Sequence, residues 1–178
     1  MTEERPQQAY DDALKRDFSL LIDALEIPEI GKRFLRLRWL DQMTWAERRA
    51  TQARNQHYTL RLVAIIGGVV VPALVSLNLQ GGLAGWITFA VSLAVAIALA
   101  VDSFFRWGER WLHYRRMAEL LKSEGWLFFQ LAGPYQGAHA ASYPEFARRV
   151  EAIVAADVDT FVAQMSQEKG KPGDGKAS

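Results

Sequence analysis

The chain has 178 residues, which is enough for one compact folding unit with a sizeable core and short for two independent domains. Its 21 basic and 20 acidic side chains almost cancel, so no bulk field favours a dedicated nucleic-acid-binding protein. It contains no cysteine, which excludes disulfides, thiolate metal sites and cysteine nucleophiles.

Two helical segments are predicted within residues 1–60. Apolar side chains recur at helical spacing over residues 11–26, and the interruption "IPEIG" ends that segment. A second helix begins near Glu29, and the capping-box pattern "TWAE", which starts at Thr44, allows a break at residues 41–44. After that point a helix is predicted to continue directly into the apolar region.

An uncharged stretch is the strongest signal in the chain. Between Arg61 and Asp102, 40 consecutive residues include no Asp, Glu, Lys or Arg. The turn-like sequence "SLNLQGG" divides the stretch into residues 62–79 and 83–101, each long enough to cross a hydrocarbon core of roughly 30 Å at about 1.5 Å per residue. The alternative, a buried helix pair in a soluble protein, requires a larger protein around it. We therefore predict an antiparallel transmembrane hairpin over residues 61–102.

The charges that flank this hairpin predict its orientation. Arginines precede the first span and follow the second: Arg48, Arg49, Arg54, Arg61, Arg106, Arg110, Arg115 and Arg116. Because the connecting turn carries no charge, the positive-inside rule places both termini of this multi-pass protein in the cytoplasm. Arg61 and Asp102 lie at the same boundary, where they can pair across the two helices or extend independently to the headgroups.

Residues inside the spans suit either helix packing or pore lining. Small residues at four-residue spacing permit close helix contact: Ala64, Gly68, Ala90, Ala94 and Ala98. Another face of the second span forms a stripe, here called the hydroxyl stripe: Gly85, Thr88, Ser92, Ala96, Leu99 and Ser103. Its hydroxyl groups can line water in an oligomer, or bond to their own backbone or a neighbouring helix. Pro72 is a candidate hinge in the first span, because proline removes a backbone donor.

Residues 103–168 are predicted to form a cytoplasmic extension and a C-terminal helix. The second span continues without a strong break into a heptad-like seam, which predicts one long helix: Phe104, Trp107, Trp111, Tyr114, Ala118, Leu121, Gly125 and Phe128. A loop around "GPYQG" follows, and Ser142 with Glu145 suits the start of an amphipathic helix. Residues 169–178 are predicted to be a disordered tail.

No arrangement of side chains predicts catalysis. The three histidines, His57, His113 and His139, lie at no metal-ligand spacing, and the chain has no phosphate-binding loop or nucleophile elbow. We predict a protein that is not an enzyme and needs no cofactor or metal.

The cytoplasmic motif carries a family resemblance. Trp111, Tyr114, Arg115 and Glu119 belong to the pattern W-x-x-Y-R-x-x-x-E-x-L-K-x-E, which is followed by "GPY" and "FARRVEAIV" and preceded by "RWLDQMTWAERRATQARNQHYTLRLVAIIGG". Over most of residues 30–160 the chain resembles the SLATT-like family of two-transmembrane proteins. The resemblance implies a bacterial inner-membrane protein of a group proposed to act as pore-forming or membrane-perturbing effectors linked to nucleotide-signal conflict systems.

Two functions follow from these observations. The first is an oligomeric ion channel or pore in an all-α integral membrane protein, with long helices that extend the hairpin into a cytoplasmic bundle. Several copies are needed, because a single hairpin has no interior. The second is a membrane-anchored scaffold or effector whose cytoplasmic bundle binds a partner. The lipid bilayer is a partner under both hypotheses, ions under the first, and nucleic acid under neither.

Overall fold

The structure, a computed structural model, describes residues 6–76 and 82–169. Within these ranges the chain forms helices and no strands, which confirms the all-α prediction there. The helices are α1 Pro6–Asp23, α2 Glu29–Phe34, a π-helical segment Leu35–Leu40, α3 Asp41–Ser76, α4 Gly82–Phe105, α5 Trp107–Phe129 and α6 His139–Lys169. The predicted turn between the spans and the predicted tail lie mainly outside the described residues.

The chain divides into two compact units. One consists of residues 1–46 and 116–178 and is called the bundle unit; the other consists of residues 47–115 and is called the paired-helix unit. The paired-helix unit extends beyond the predicted hairpin of residues 61–102 at both ends.

An aromatic core holds the bundle unit together. The fully buried Trp39 meets the edge of Phe18, with ring centroids 5.2 Å apart, and also packs against Phe146 at 6.1 Å. Phe128 stacks on Phe146 at 4.4 Å. Each such ring buries about 150–250 Å² and gains from edge and offset-stacked geometry, so this cluster dominates the packing of the unit.

The helix does not break at residues 41–44, where the sequence allowed a break. A π-helical segment at Leu35–Leu40 precedes these residues instead. The chain is helical from Glu29 through Ser76, and the hydrogen-bond pattern widens over Leu35–Leu40. Thr44 does not cap a helix, because its Oγ1 donates to the carbonyl of Leu40 at 2.9 Å within the same helix. The widened segment contains Trp39, which brings its indole into the core of the bundle unit.

Three further helix boundaries differ from the predictions. The first helix, predicted over residues 11–26, spans Pro6–Asp23. The predicted continuous helix after the second span is wrong: α4 ends at Phe105 and α5 begins at Trp107, with Arg106 in the left-handed region at φ 49°. The last helix begins at His139, three residues before the expected cap at Ser142, because the chain turns at Gly137 (φ 89°).

Among the residues that the structure describes, two helical stretches are long and apolar enough to cross a membrane. They lie within Glu29–Val75 and Gly85–Phe105, and 6% of the most apolar window in each is buried by the rest of the chain. A core helix of a soluble protein would be mostly enclosed, so the low buried share disagrees with that alternative. By length and composition these stretches correspond to the two spans predicted from the sequence.

Candidate functional site

α3 and α4 contact each other along one face of each helix. A methyl group placed on Gly67 would collide with Val95 and lie 3.9 Å from Val91, and Ala98 is buried on the same side of α4. Small residues allow the backbones to approach this closely. Sequence reasoning selected Gly68 for this role, but a methyl group on Gly68 would meet nothing within 4 Å. The packing glycine is therefore Gly67.

A histidine and a carboxylate lie together at one end of this helix pair. Nδ1 of His57 is 3.0 Å from Oδ1 of Asp102, and both side chains are largely buried. The sequence left two alternatives for Arg61 and Asp102, a pair across the helices or independent extension to the headgroups; Arg61 lies one turn after His57 on α3 and is exposed. In the structure the imidazole of His57 occupies the position facing the Asp102 carboxylate. Gly108 permits this arrangement, since a methyl group there would lie 3.3 Å from the imidazole ring.

The hydroxyl stripe lies beside the α3-contacting face of α4 rather than within it. Ala96 and Leu99 of the stripe directly follow Val95 and Ala98 of the contact face. A step of one residue turns about 100° around a helix, so the stripe points to an adjoining side. Gly85, Thr88 and Ser92 are half-buried, and the later members are exposed: Ala96, Leu99 and Ser103. Ser92 Oγ donates to the Thr88 carbonyl at 2.8 Å, so this hydroxyl bonds to its own helix.

Pro72 does not interrupt its helix. α3 runs through Pro72 to Ser76, and the proline is exposed. A proline inside a helix removes one backbone hydrogen bond, so the site remains a candidate hinge.

The heptad-like seam, predicted from Phe104 to Phe128, is packed over most of the part that lies in α5. In the paired-helix unit, the Trp111 ring lies 6.1 Å from that of Tyr58 on α3, and Tyr114 is half-buried. In the bundle unit the seam is buried at Ala118, Leu121, Gly125 and Phe128. Phe104, before the helix break, is 80% exposed, so the seam begins after Arg106. Glu119 of the family pattern lies with Oε1 3.8 Å from Nζ of Lys122 on the same helix.

A buried carboxylate joins three segments of the bundle unit. Glu124 on α5 accepts a hydrogen bond from the Tyr135 hydroxyl in the following loop, and Arg149 Nε on α6 donates to the same carboxylate oxygen at 2.5 Å. Burial and the hydrogen bond to Glu124 raise the pKa of Tyr135 well above its usual value. The charge-assisted contacts compensate for burying Glu124 and fix the loop against both helices.

Comparison with protein families finds one match. The family described as "Protein of unknown function (DUF4231)" matches residues 41–143, which is more than half of the chain. The chain belongs to the DUF4231 family. No curated protein and no solved structure matches it.

The DUF4231 match covers both the apolar helices and part of the bundle unit. It begins at Asp41, the first residue of α3, and ends at Tyr143, near the start of α6. Glu124 and Tyr135 lie inside the matched range, and Arg149 lies beyond it. The match therefore includes the whole helix pair with its His57 contact.

Sequence reasoning missed two of the polar sites. His57 was set aside as a scattered histidine, although its position four residues before Arg61 puts it on the same side of α3. Glu124 was assigned to a motif without a partner, because Tyr135 and Arg149 meet it through the tertiary fold. His139 Nε2 lies 3.2 Å from the Phe129 carbonyl, and the described residues contain no group of three potential metal ligands.

Proposed function

We propose that this DUF4231 protein is an oligomeric membrane channel or pore. The apolar part of α3 and α4 form an antiparallel transmembrane hairpin in a bacterial inner membrane, with both termini in the cytoplasm. The observation that supports this most strongly is the exposure of the uncharged stretches of two helices, in each of which 6% of the most apolar window is buried. Such helices are stable where lipid or other helices cover them.

The arrangement of α4 supports assembly from several copies. Two helices enclose no conduit, so a pore requires more than one hairpin. Within one chain, Gly67 of α3 packs against Val95 of α4, and Ala98 is buried on the same side of α4, which leaves the exposed part of the hydroxyl stripe on an adjoining side. In the proposed assembly this side faces the central axis, and Ala96, Leu99 and Ser103 line it. The spans contain no charged ring, so any constriction is apolar or hydroxyl-lined.

The resemblance to the SLATT-like family supports the same proposal. That group consists of two-transmembrane proteins proposed to be pore-forming or membrane-perturbing effectors. Trp111 of the shared motif packs against Tyr58 in the paired-helix unit, which agrees with a role for the motif residues in packing.

Cysteine accessibility tests the pore-lining assignment without a background signal, because the natural chain contains no cysteine. Ala96→Cys, Leu99→Cys and Ser103→Cys would be reconstituted in liposomes and treated with a membrane-impermeant thiol reagent during an ion-flux assay. We expect modification and reduced flux. Leu93→Cys and Ile97→Cys are the matched controls, because they lie about 100° further around α4 and are exposed. Equal reactivity at both sets of positions would contradict the assignment.

A membrane-anchored scaffold is the second candidate. It is favoured by the bundle unit, which has its own aromatic core and a buried carboxylate network outside the apolar helices. Under this hypothesis the hairpin is an anchor, so replacing both spans with unrelated apolar hairpins would preserve activity in the cell. The channel proposal predicts that the same replacement abolishes ion flux.

A further inference from the structure

We infer that the charged end of the paired-helix unit binds the headgroups of anionic phospholipids. The inference rests on the proposed membrane insertion and adds a ligand to it. Residues 47–115 contain seven arginines against three acidic residues, whereas the rest of the chain has 14 basic and 17 acidic residues. All ten of these charges lie in residues 47–61 and 102–115, which flank the apolar stretch. A nearly neutral chain thus concentrates its positive charge next to its apolar helices.

Three arginines in this region lack a protein counter-charge. Arg54, Arg61 and Arg110 are exposed, and within the described residues no carboxylate lies within 4 Å of any of them. Two of the three acidic groups of this unit pair with other side chains, Asp102 with His57 and Glu109 with Arg106, and the third, Glu47, is buried. The three exposed guanidinium groups are therefore available to an anion from outside the chain.

An aromatic contact connects these arginines. Tyr58, between Arg54 and Arg61 on α3, lies against Trp111 on α5 with 6.1 Å between ring centroids. Arg54 and Arg61 are four residues before and three residues after Tyr58, so all three share one side of the helix. The Arg110 guanidinium lies 5.7 Å from the Trp107 ring centroid. Tyrosine and tryptophan side chains that lie beside arginines are typical of protein surfaces in the headgroup region of a bilayer.

The surface beyond these arginines identifies the anion as a lipid. Directly after Arg61, the exposed side of α3 continues with large apolar residues: Leu62, Ile65, Ile66 and Val69. A phospholipid presents a phosphate at the level of the arginines and acyl chains along this apolar side. A nucleic acid or a free phosphate would leave the apolar side uncovered. Phosphatidylglycerol, which carries a net negative charge, is therefore preferred over the zwitterionic phosphatidylcholine.

The experiment measures binding of dansyl-labelled lipids to the full chain in a neutral detergent. Energy transfer from tryptophan to the dansyl group reports binding, and phosphatidylglycerol should bind at least tenfold more tightly than phosphatidylcholine. Arg54→Gln combined with Arg61→Gln should weaken phosphatidylglycerol binding about 10- to 30-fold, because each arginine near an anionic surface contributes roughly a factor of five. Phosphatidylcholine binding should not change.

Matched variants separate charge from folding. Arg54→Lys with Arg61→Lys keeps the charge and should retain most of the affinity. Arg16→Gln with Arg33→Gln removes two exposed arginines from the bundle unit and should leave binding unchanged. Equal affinity for both lipids, or an unaffected Arg54→Gln, Arg61→Gln variant, would overturn the inference. Competition by inorganic phosphate as strong as that by the lipid would overturn it too, because the ligand would then be a soluble anion.

Flotation with phosphatidylcholine liposomes distinguishes this inference from the function on which it rests. A protein that does not float, or that alkaline washing extracts, contradicts membrane insertion and therefore the proposed function. A protein that inserts stably but shows no preference for phosphatidylglycerol contradicts the headgroup site alone.

Discussion

Gly125→Ala should destabilise the bundle unit because the Trp39 indole occupies the space above this glycine. A methyl group at Gly125 would collide with Cζ2 of Trp39 and lie 2.8 Å from its Cε2 and 2.9 Å from its Cη2. The indole cannot move away easily, because its Nε1 donates to the Leu121 carbonyl at 2.8 Å and the ring is fully buried. The side chain is also held by the edges of neighbouring aromatic rings.

The size of the destabilisation follows from two unfavourable effects and one favourable effect. Overpacking a rigid core costs about 1–3 kcal/mol. Displacing the indole weakens a buried hydrogen bond, which is worth about 0.5–1.5 kcal/mol. Alanine gains about 1 kcal/mol over glycine in a helix, which offsets part of the cost. We expect a net destabilisation of about 1–3 kcal/mol, or a melting temperature lower by about 2–12 °C for a chain of this size.

Thermal melting of the full chain in detergent, followed by near-UV circular dichroism, measures this effect. Ser123→Ala, at an exposed position on the same helix, is the control and should leave the melting temperature unchanged or slightly raised. Trp39→Phe should partly rescue Gly125→Ala, because the smaller ring leaves room for the methyl group, so the two changes should be less than additive. If Gly125→Ala melts at or above the temperature of the natural chain, the indole does not lie against this glycine.

Three other predictions concern the polar network and the helix pair. Burial and the hydrogen bond to a carboxylate raise the pKa of Tyr135 above the ordinary value of 10.0, so the folded state keeps this proton longer than the unfolded state. The stability that this contributes is present below pH 10 and is lost as the pH rises further; Tyr135→Phe should therefore flatten the alkaline decline of the melting temperature. A double-mutant cycle of His57→Ala and Asp102→Asn should give a coupling of about 0.5–3 kcal/mol, whereas additivity would argue against their contact. Gly67→Ala should lower the melting temperature and Gly68→Ala should not, because the added methyl group meets α4 at Gly67 alone; the reverse order would refute the assigned contact face.

Periodicity and charge predicted the helices well because those signals are local. The start of the second helix at Glu29, its continuation into the apolar stretch, and the amphipathic last helix all follow from residue spacing. The helix break at Arg106 could not be predicted, because neither proline nor an αL-favouring glycine stands at the position that adopts φ 49°. The capping box at Thr44 misled for a related reason: its hydroxyl has an equally good acceptor one turn earlier in a continuous helix.

Contacts between segments were less predictable than the helices themselves. Gly67 and Gly68 are identical in type and adjacent, and the rotation of α3 against α4 alone decides which of them packs. The same holds at Asp102, where Arg61 satisfies the charge rule but His57 satisfies the geometry. Glu124 is the last residue of the family pattern that starts at Trp111. Its partners Tyr135 and Arg149 are 11 and 25 residues away in sequence, and the loop before α6 brings them to it.

Ion flux through liposomes that contain the unmodified protein tests the central claim most directly. The protein would be purified as an oligomer, inserted into liposomes and compared with protein-free liposomes of the same composition over a range of pH and calcium concentration. The proposal predicts that ions pass in the presence of the protein and that the flux rises with the number of oligomers per liposome. A stably inserted oligomer that passes no ions under any of these conditions would contradict it.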